Sequence, residues 1–197
     1  MREATITRTT GETDIRLTLN LDGSGRADIA TGIGFFDHML DAFARHGFYD
    51  LSVSVDGDLA VDGHHSVEDC GIVLGQAICE AVGNKKGIRR YGYCVLPMDE
   101  ALIICAIDLC GRPYFNMRGE EKYDSVPMVG GFDTQLVREF FYSVSYAGMM
   151  NLHFQILEGN NAHHIIEAMF KSFAKALDMA AGYDSRIEDV LSTKGSL

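Results

Sequence analysis

The chain has 197 residues, of which 47% are hydrophobic and 23% charged. This composition is typical of one globular unit or two small ones, and it excludes disordered, collagen-like and coiled-coil proteins. Asp and Glu total 28 against 17 Lys and Arg, so the formal net charge is −11. Such an acidic chain is a poor binder of nucleic acid or anionic membranes through bulk charge, and a few placed cations must hold any phosphate.

Targeting features and disulfides are not predicted. No apolar run reaches the roughly 18–20 residues that span a bilayer, and no apolar stretch follows the arginine of the N-terminal MREATITRTT. The five cysteines are odd in number and form no C-x-x-C motif. Free thiols of this kind are typical of a reducing compartment, so we expect a cytoplasmic protein that binds no membrane.

In chain order, the first half alternates between strand and helix patterns. Residues 15–21 have apolar side chains at every second position and predict a strand. Residues 36–43 have helical spacing, and Gly47 can end that helix. Residues 51–61 alternate again around an Asp-Gly turn and predict a hairpin. A long amphipathic helix is predicted for residues 64–83.

The second half repeats this order. Residues 101–107 alternate, 136–144 have helical spacing, 152–156 alternate, and 163–182 predict a second long helix. An exposed loop is predicted for 118–131, which has no periodicity. We therefore expect one duplicated α+β domain with half-repeats 1–92 and 93–197 and a C-terminal tail at about 183–197. Each half is predicted to be a mostly antiparallel sheet with two helices packed on one face.

The motif H-H-x-x-E begins both long helices, at 64–68 and at 163–167, displaced by 99 positions. On a helix these side chains fall within an arc of about 100°, and imidazole with carboxylate is a common ligand set for divalent cations. One such motif is more typical of a polar helix start than of a metal site, but two copies at matching positions favour metal binding. Adjacent histidines diverge by about 100°, so we expect them to serve different ions, each drawing on more than one half or subunit.

The preceding helices offer one further donor each. His38 lies 13 residues before Leu51, and Glu139 lies 13 residues before Leu152, so the two donors are equivalent. A ligand set of histidine and carboxylate without thiolate suits Mn²⁺, Fe²⁺ or Zn²⁺. His153, on a strand, fits a structural role better.

Several residues outside the repeat are candidates for anion binding. Arg90 ends a basic stretch that is also compatible with a solvated turn, whereas Arg112 follows a buried-type strand. Lys194 lies in the tail, which can close over a ligand or remain disordered. His46, in the last helical turn, either caps the helix or touches a ligand. Phosphate-binding P-loop and G-x-S-x-G motifs do not occur.

These residues resemble the imidazoleglycerol-phosphate dehydratase family of histidine biosynthesis over nearly the whole chain. The segments that carry the resemblance are GFFDHML, DGHHSVEDCGIVLGQA, DEALIICAIDLCGRPY, NAHHIIEAMFKSFAKAL and STKG. The resemblance implies a metal-dependent lyase with a duplicated fold and a 24-mer whose active sites are shared between subunits. It also implies two Mn²⁺ ions per active site.

The resemblance further implies roles for individual residues. The implied Mn²⁺ ligands are His38, His64, His65, Glu68, His163, His164 and Glu167. The implied substrate contacts are Glu12, His38, His46, Arg90, Arg112, Ser192 and Lys194. The chain departs from the family pattern at Glu139, where many relatives carry a further histidine ligand. A carboxylate can still bind Mn²⁺ there, although it changes the charge of the site.

The implied reaction converts D-erythro-imidazole glycerol phosphate to imidazole acetol phosphate and water. Two ions on the two ring nitrogens would hold the substrate as an imidazolate, and Glu167, Glu12 or Glu68 would transfer the proton. Two alternatives remain open from the residues alone. One is a di-metal hydrolase, and the other is a metal-storage or metal-scaffolded protein, against which the candidate phosphate cations argue.

Overall fold

A computed structural model describes residues 2–197. In the first half, the chain forms three strands, a helix, a strand and a longer helix. These are β1 (Glu3–Thr9), β2 (Thr13–Asn20), β3 (Ala27–Ala30), α1 (Gly34–Gly47), β4 (Asp50–Gly57) and α2 (His64–Val82).

The second half has the same order with one insertion before its first helix. Its elements are β5 (Tyr91–Met98), β6 (Ala101–Asp108), β7 (Tyr114–Arg118), β8 (Met128–Val129), β9 (Phe132–Asp133), α3 (Leu136–Ala147), β10 (Asn151–Glu158) and α4 (Ala162–Ala181). The insertion contains a short 3₁₀ turn and the β8–β9 hairpin. Tyr123 within it is buried, so the prediction of an exposed loop over 118–131 is wrong for this part.

The two four-stranded sheets have identical topology. Their strand orders are β1-β2-β4-β3 and β5-β6-β10-β7. The last pair in each sheet is parallel and the others are antiparallel, so a helix crosses over between β3 and β4 and between β7 and β10. This confirms the predicted α+β fold of two pseudo-repeated halves, each a mostly antiparallel sheet with its helices.

The helices of the two halves pack against one another. α1 contacts α4 and α2 contacts α3, while α2 also covers β1 and β2, and α4 covers β5 and β6. Buried phenylalanines fill the junction: the ring of Phe140 lies 5.3 Å from that of Phe36 and 5.2 Å from that of Phe170. Aromatic pairs of this kind contribute about 0.5–1.5 kcal/mol beyond burial. This packing holds α1 and α4, which carry candidate ligands, side by side.

The predicted helix ends at Gly83 and Gly182 are confirmed, because both glycines cap their helices. The hairpin predicted for residues 51–61 is wrong. β4 ends at Gly57, and the next residues form a turn that exposes Leu59 and Val61. The Asp58 side chain binds His65 instead, which holds this turn against α2. Within residues 2–197, no helix has both the length and the apolar character that a membrane crossing needs.

Candidate metal centre

Three candidate ligands converge where α1 meets α4. One donor atom each from His38, His163 and Glu167 lies within 4.8 Å of the others. Glu167 Oε2 lies 3.1 Å from His163 Nε2 and 3.6 Å from His38 Nε2. His38 belongs to the first half and the other two residues to the second, so the cluster draws on both halves of the fold. Among residues 2–197, it is the one group of three or more His, Cys, Asp or Glu residues whose donor atoms lie this close together.

Local structure explains how α4 presents these groups. Asn161 caps the helix, and its side-chain oxygen accepts hydrogen bonds from the backbone N–H groups of His163 and His164. Glu167 follows His163 by four residues, which places both side chains on the same helix face. The packing of α1 on α4 then brings His38 to that face.

A neighbour that the sequence analysis missed, Lys171, helps to lower the pKa of Glu167. Burial of this carboxyl group opposes its ionisation, but the hydrogen bond and positive charge of Lys171 outweigh that effect and lower its pKa. Lys171 Nζ lies 2.7 Å from Glu167 Oε1. The four-residue spacing between them was the available signal. Two imidazoles and an ionised carboxylate form a donor set that fits Mn²⁺.

The H-H-x-x-E motif of the first half is arranged as pairs. His64 Nε2 lies 3.8 Å from Glu68 Oε2, and His65 Nε2 lies 3.6 Å from Glu12 Oε1. Glu139 is half-buried on α3, which packs against α2. In the part of the chain that the structure describes, these residues do not form a group of three donors.

A cavity of about 460 Å³ opens beside His64. Its walls include the apolar side chains of Ile33, Leu59 and Leu136 and the carboxylate of Asp62. Cavities of this size accommodate small molecules. The first-half motif therefore borders a space large enough for a small ligand.

The second histidine of each motif is held at its other ring nitrogen by a carboxylate. His65 Nδ1 lies 2.9 Å from Asp58 Oδ2, and His164 Nδ1 lies 2.8 Å from Glu100 Oε2. These hydrogen bonds raise the pKa of both histidines. The bond to His164 also lowers the pKa of Glu100 to about 2. The sequence analysis missed Asp58 and Glu100, because neither belongs to the repeated motif.

His46 lies in the last turn of α1, on the side that faces α4. Burial lowers its pKa, and the charges of Lys171 and Lys175 lower it further. His46 therefore stays neutral more readily than an ordinary histidine. Lys171 also binds Glu167, so the same cation of α4 acts on His46 and on the three-donor cluster.

Arg90 connects the C-terminal tail to the second sheet. Its guanidinium binds the Asp108 carboxylate at 2.7 and 3.0 Å and donates to the Leu191 carbonyl at 2.7 Å. Arg90 and Ser192 both line a cavity of about 690 Å³. Lys194 and the exposed Arg112 are not among the residues that line this cavity.

Comparisons with known proteins agree with this architecture. The family described as imidazoleglycerol-phosphate dehydratase matches residues 31–177. Imidazoleglycerol-phosphate dehydratases of Lachnoclostridium phytofermentans and Acetivibrio thermocellus are 61% and 56% identical to this chain over 196 residues. Those alignments cover 100% of this chain and 98% and 99% of the relatives, respectively.

Two solved structures have the same fold. The crystal structure of imidazoleglycerol-phosphate dehydratase from Staphylococcus aureus matches with a TM-score of 0.82 and 37% identity, covering 92% of this chain and 99% of its own. That of IGPD from Pyrococcus furiosus in complex with (S)-C348 matches with a TM-score of 0.82 and 36% identity, covering 98% and 100%.

The duplicated α+β fold and these full-length matches define the chain as an enzyme, a dehydratase of the lyase class. It belongs to the imidazoleglycerol-phosphate dehydratase family, whose place is in histidine biosynthesis.

Proposed function

We propose that this enzyme catalyses the Mn²⁺-dependent conversion of D-erythro-imidazole glycerol phosphate to imidazole acetol phosphate and water. The observation that carries the proposal is the convergence of His38, His163 and Glu167 in a chain of this family. The donor set without thiolate supports Mn²⁺ as the metal. Bound Mn²⁺ supplies Lewis acidity toward the ring nitrogens of the substrate.

Two groups of residues would hold the two ions of one active site. His38, His163 and Glu167 would hold the first, and His64, Glu68 and Glu139 the second. The repeat supports this division, since Glu139 on α3 is equivalent to His38 on α1. The ring planes of His65 and His164 lie at 76° and 81° to those of the neighbouring histidines, His64 and His163. We propose that they complete sites on other copies of the chain.

Glu12 and Glu167 differ in their freedom to transfer a proton. Both oxygens of Glu167 are engaged, one with Lys171 and one with His163. Glu12 is more than half exposed, and among residues 2–197 its one ion-pair neighbour is His65, whose Nε2 atom lies 3.6 Å from Glu12 Oε1. This difference favours Glu167 as a ligand and Glu12 as the group that removes the proton when the C–H and C–OH bonds of the substrate break. Glu68, the repeat equivalent of Glu167, is assigned a ligand role as well.

The substrate phosphate requires cations, since the chain as a whole is acidic. We propose that Arg90 and Ser192 contact it, because both line the cavity between the second sheet and the tail. Arg112 and Lys194 would add charge when the tail closes, and His46 would contact the substrate from the last turn of α1.

Incomplete ligand pairs within one chain support a homo-oligomer, and we propose the 24-mer with shared active sites. The five free cysteines support a cytoplasmic location. The net charge of −11 disfavours nucleic acid and anionic membranes as partners, and the proposed partner is a phosphorylated imidazole.

The test is an assay of metal-stripped and Mn²⁺-restored protein with imidazole glycerol phosphate. Formation of the ketone only after restoration is the expected result. Release of inorganic phosphate would instead indicate a hydrolase, and bound metal without either product would indicate storage. His153→Gln, at an exposed histidine on β10, is the matched control and should retain full activity. Native mass spectrometry of the same sample tests the 24-mer.

A further inference from the structure

His65 and His164 are equivalent residues with equivalent surroundings. Each begins a long helix as the second histidine of its motif, and each has one ring nitrogen bound to a carboxylate through Nδ1, at 2.9 and 2.8 Å. Each Nε2 atom faces a second, more distant carboxylate: Glu12 Oε1 at 3.6 Å and Asp99 Oδ2 at 3.8 Å. The hydrogen bond at Nδ1 therefore orients each ring, and the Nε2 atom remains accessible to a ligand.

The two orienting carboxylates come from different places in the repeat. Asp58 directly follows β4, whereas Glu100 lies in the turn between β5 and β6. The strand registers pair Ile15 with Val55 and Ile103 with Ile156, and a β-bulge between Ile156 and Glu158 adds one residue to β10. The second-half equivalent of Asp58 is therefore Asn160. By the same registers Thr13 corresponds to Ala101, so the first-half equivalent of Glu100 is Glu12.

The side chain at this position differs between the two halves. Asn160 carries a neutral amide where the first half has the Asp58 carboxylate, and its backbone N–H donates to Glu100 Oε1. The turn residue Glu100 supplies the contact instead.

We propose that Asp58 and Glu100 are positioning residues that hold His65 and His164 as the Nδ1–H tautomer, with the Nε2 lone pair directed outward for metal. A carboxylate that accepts from the distal ring nitrogen fixes both tautomer and orientation of a ligating histidine. The proposal deepens the proposed function and rests on its assignment of these histidines as ligands.

The non-equivalent positions have a consequence for Glu12. In the second half the turn carboxylate is committed to His164 and to the backbone N–H groups of Asn160 and Asn161. In the first half Asp58 takes over the contact with the histidine, so Glu12 keeps no such bond to the ring. Divergence of the two repeats thereby leaves one carboxylate available for proton transfer in the first half.

The first experiment reads the tautomer directly. Solid-state ¹⁵N NMR of histidine-labelled, metal-free protein is recorded at a pH where the imidazoles are neutral. Asp58→Ala should convert one histidine from the Nδ1–H to the Nε2–H form. Asp58→Asn, which keeps an acceptor oxygen, should retain the wild-type spectrum. Glu100→Ala should change a different single histidine. Unchanged tautomers in both alanine variants would overturn the proposal.

The second experiment measures Mn²⁺ affinity by titration of the full-length protein with Mn²⁺ alone. Asp58→Ala and Glu100→Ala should each weaken binding by about 10–100-fold, and Asp58→Asn should restore most of the loss. Asp56→Ala and Glu158→Ala, at exposed acidic residues nearby, are matched controls and should bind as wild type. Wild-type affinity in both alanine variants would contradict the proposal. Lack of Mn²⁺ binding by the wild-type protein would instead refute the proposed function, while the tautomer measurement would still decide the positioning role.

Discussion

Lys171 Nζ lies 2.7 Å from Glu167 Oε1, one helical turn farther along α4. This ion pair allows a largely buried carboxyl group to stay ionised among two imidazoles. The two oxygens of Glu167 therefore have different partners. One binds the Lys171 ammonium group, and the other faces His38 and His163. The oxygen that faces the two imidazoles therefore belongs to a carboxylate whose pKa is lowered by a residue outside the candidate ligand set.

Substitution of Lys171 should weaken metal binding without removing a ligand. In Lys171→Met, burial of Glu167 would no longer be offset by a positive charge, so the pKa of Glu167 should rise. We expect Mn²⁺ affinity to fall by about 10–100-fold, with a larger loss at lower pH because protons compete for the carboxylate. Calorimetric titration at several pH values measures this. Lys175→Met, one turn farther along, should bind near wild type; an equal loss there would indicate a general charge effect.

Substitutions of Glu12 and Glu167 should distinguish a residue that acts only in the chemical step from one that also binds metal. Both Glu12→Gln and Glu167→Gln should lower turnover by at least about a hundredfold in metal-replete samples. Only Glu167→Gln should also lower Mn²⁺ affinity, because Glu12 is not assigned as a ligand. Steady-state assays with parallel metal analysis give both quantities. Near-wild-type turnover of Glu12→Gln would remove that residue from proton transfer, and Glu158→Gln serves as an unaffected control.

Glu139 tests whether a carboxylate serves as a ligand at the position equivalent to His38. Glu139→Gln should lower the number of Mn²⁺ ions bound per chain, since a neutral amide is a poorer ligand. Glu139→His should preserve it. Elemental analysis after gel filtration counts the ions. If Glu139→Gln keeps the full complement, Glu139 is not a ligand in this chain.

Much of this architecture follows from local sequence patterns. Helical spacing and the glycines at 83 and 182 predicted the long helices, and the repeated motif predicted two halves with related ligands. The residues between elements could not be predicted in the same way. Leu59 and Val61 alternate as a strand would, yet they lie on an exposed turn, because Asp58 binds His65 and directs the chain away from the sheet. Asp58 and Glu100 contact their histidines only because separate elements meet in the folded chain. Lys171 contacts Glu167 through a four-residue spacing that belongs to no recognised motif.

The contribution of the Glu100–His164 pair to the stability of the fold should be largest in mildly acidic solution. The pKa of Glu100 is lowered from 4.5 to about 2, chiefly by its hydrogen bond to His164, so its contribution is present above pH 4.5 and is lost as the pH falls toward 2. The pKa of His164 is raised from 6.5 by the same bond, so its contribution is complete below pH 6.5 and is lost as the pH rises through the folded value.

The difference in melting temperature between metal-free wild type and Glu100→Ala should therefore be largest between about pH 4.5 and 6.5. It should shrink toward pH 3 and again in alkaline solution. Thermal denaturation followed by circular dichroism across this range measures the difference. Glu158→Ala, which removes an exposed carboxylate without a histidine partner among residues 2–197, should show no such maximum. A pH-independent difference for Glu100→Ala would mean that the carboxylate stabilises the turn through Asn160 and Asn161 alone.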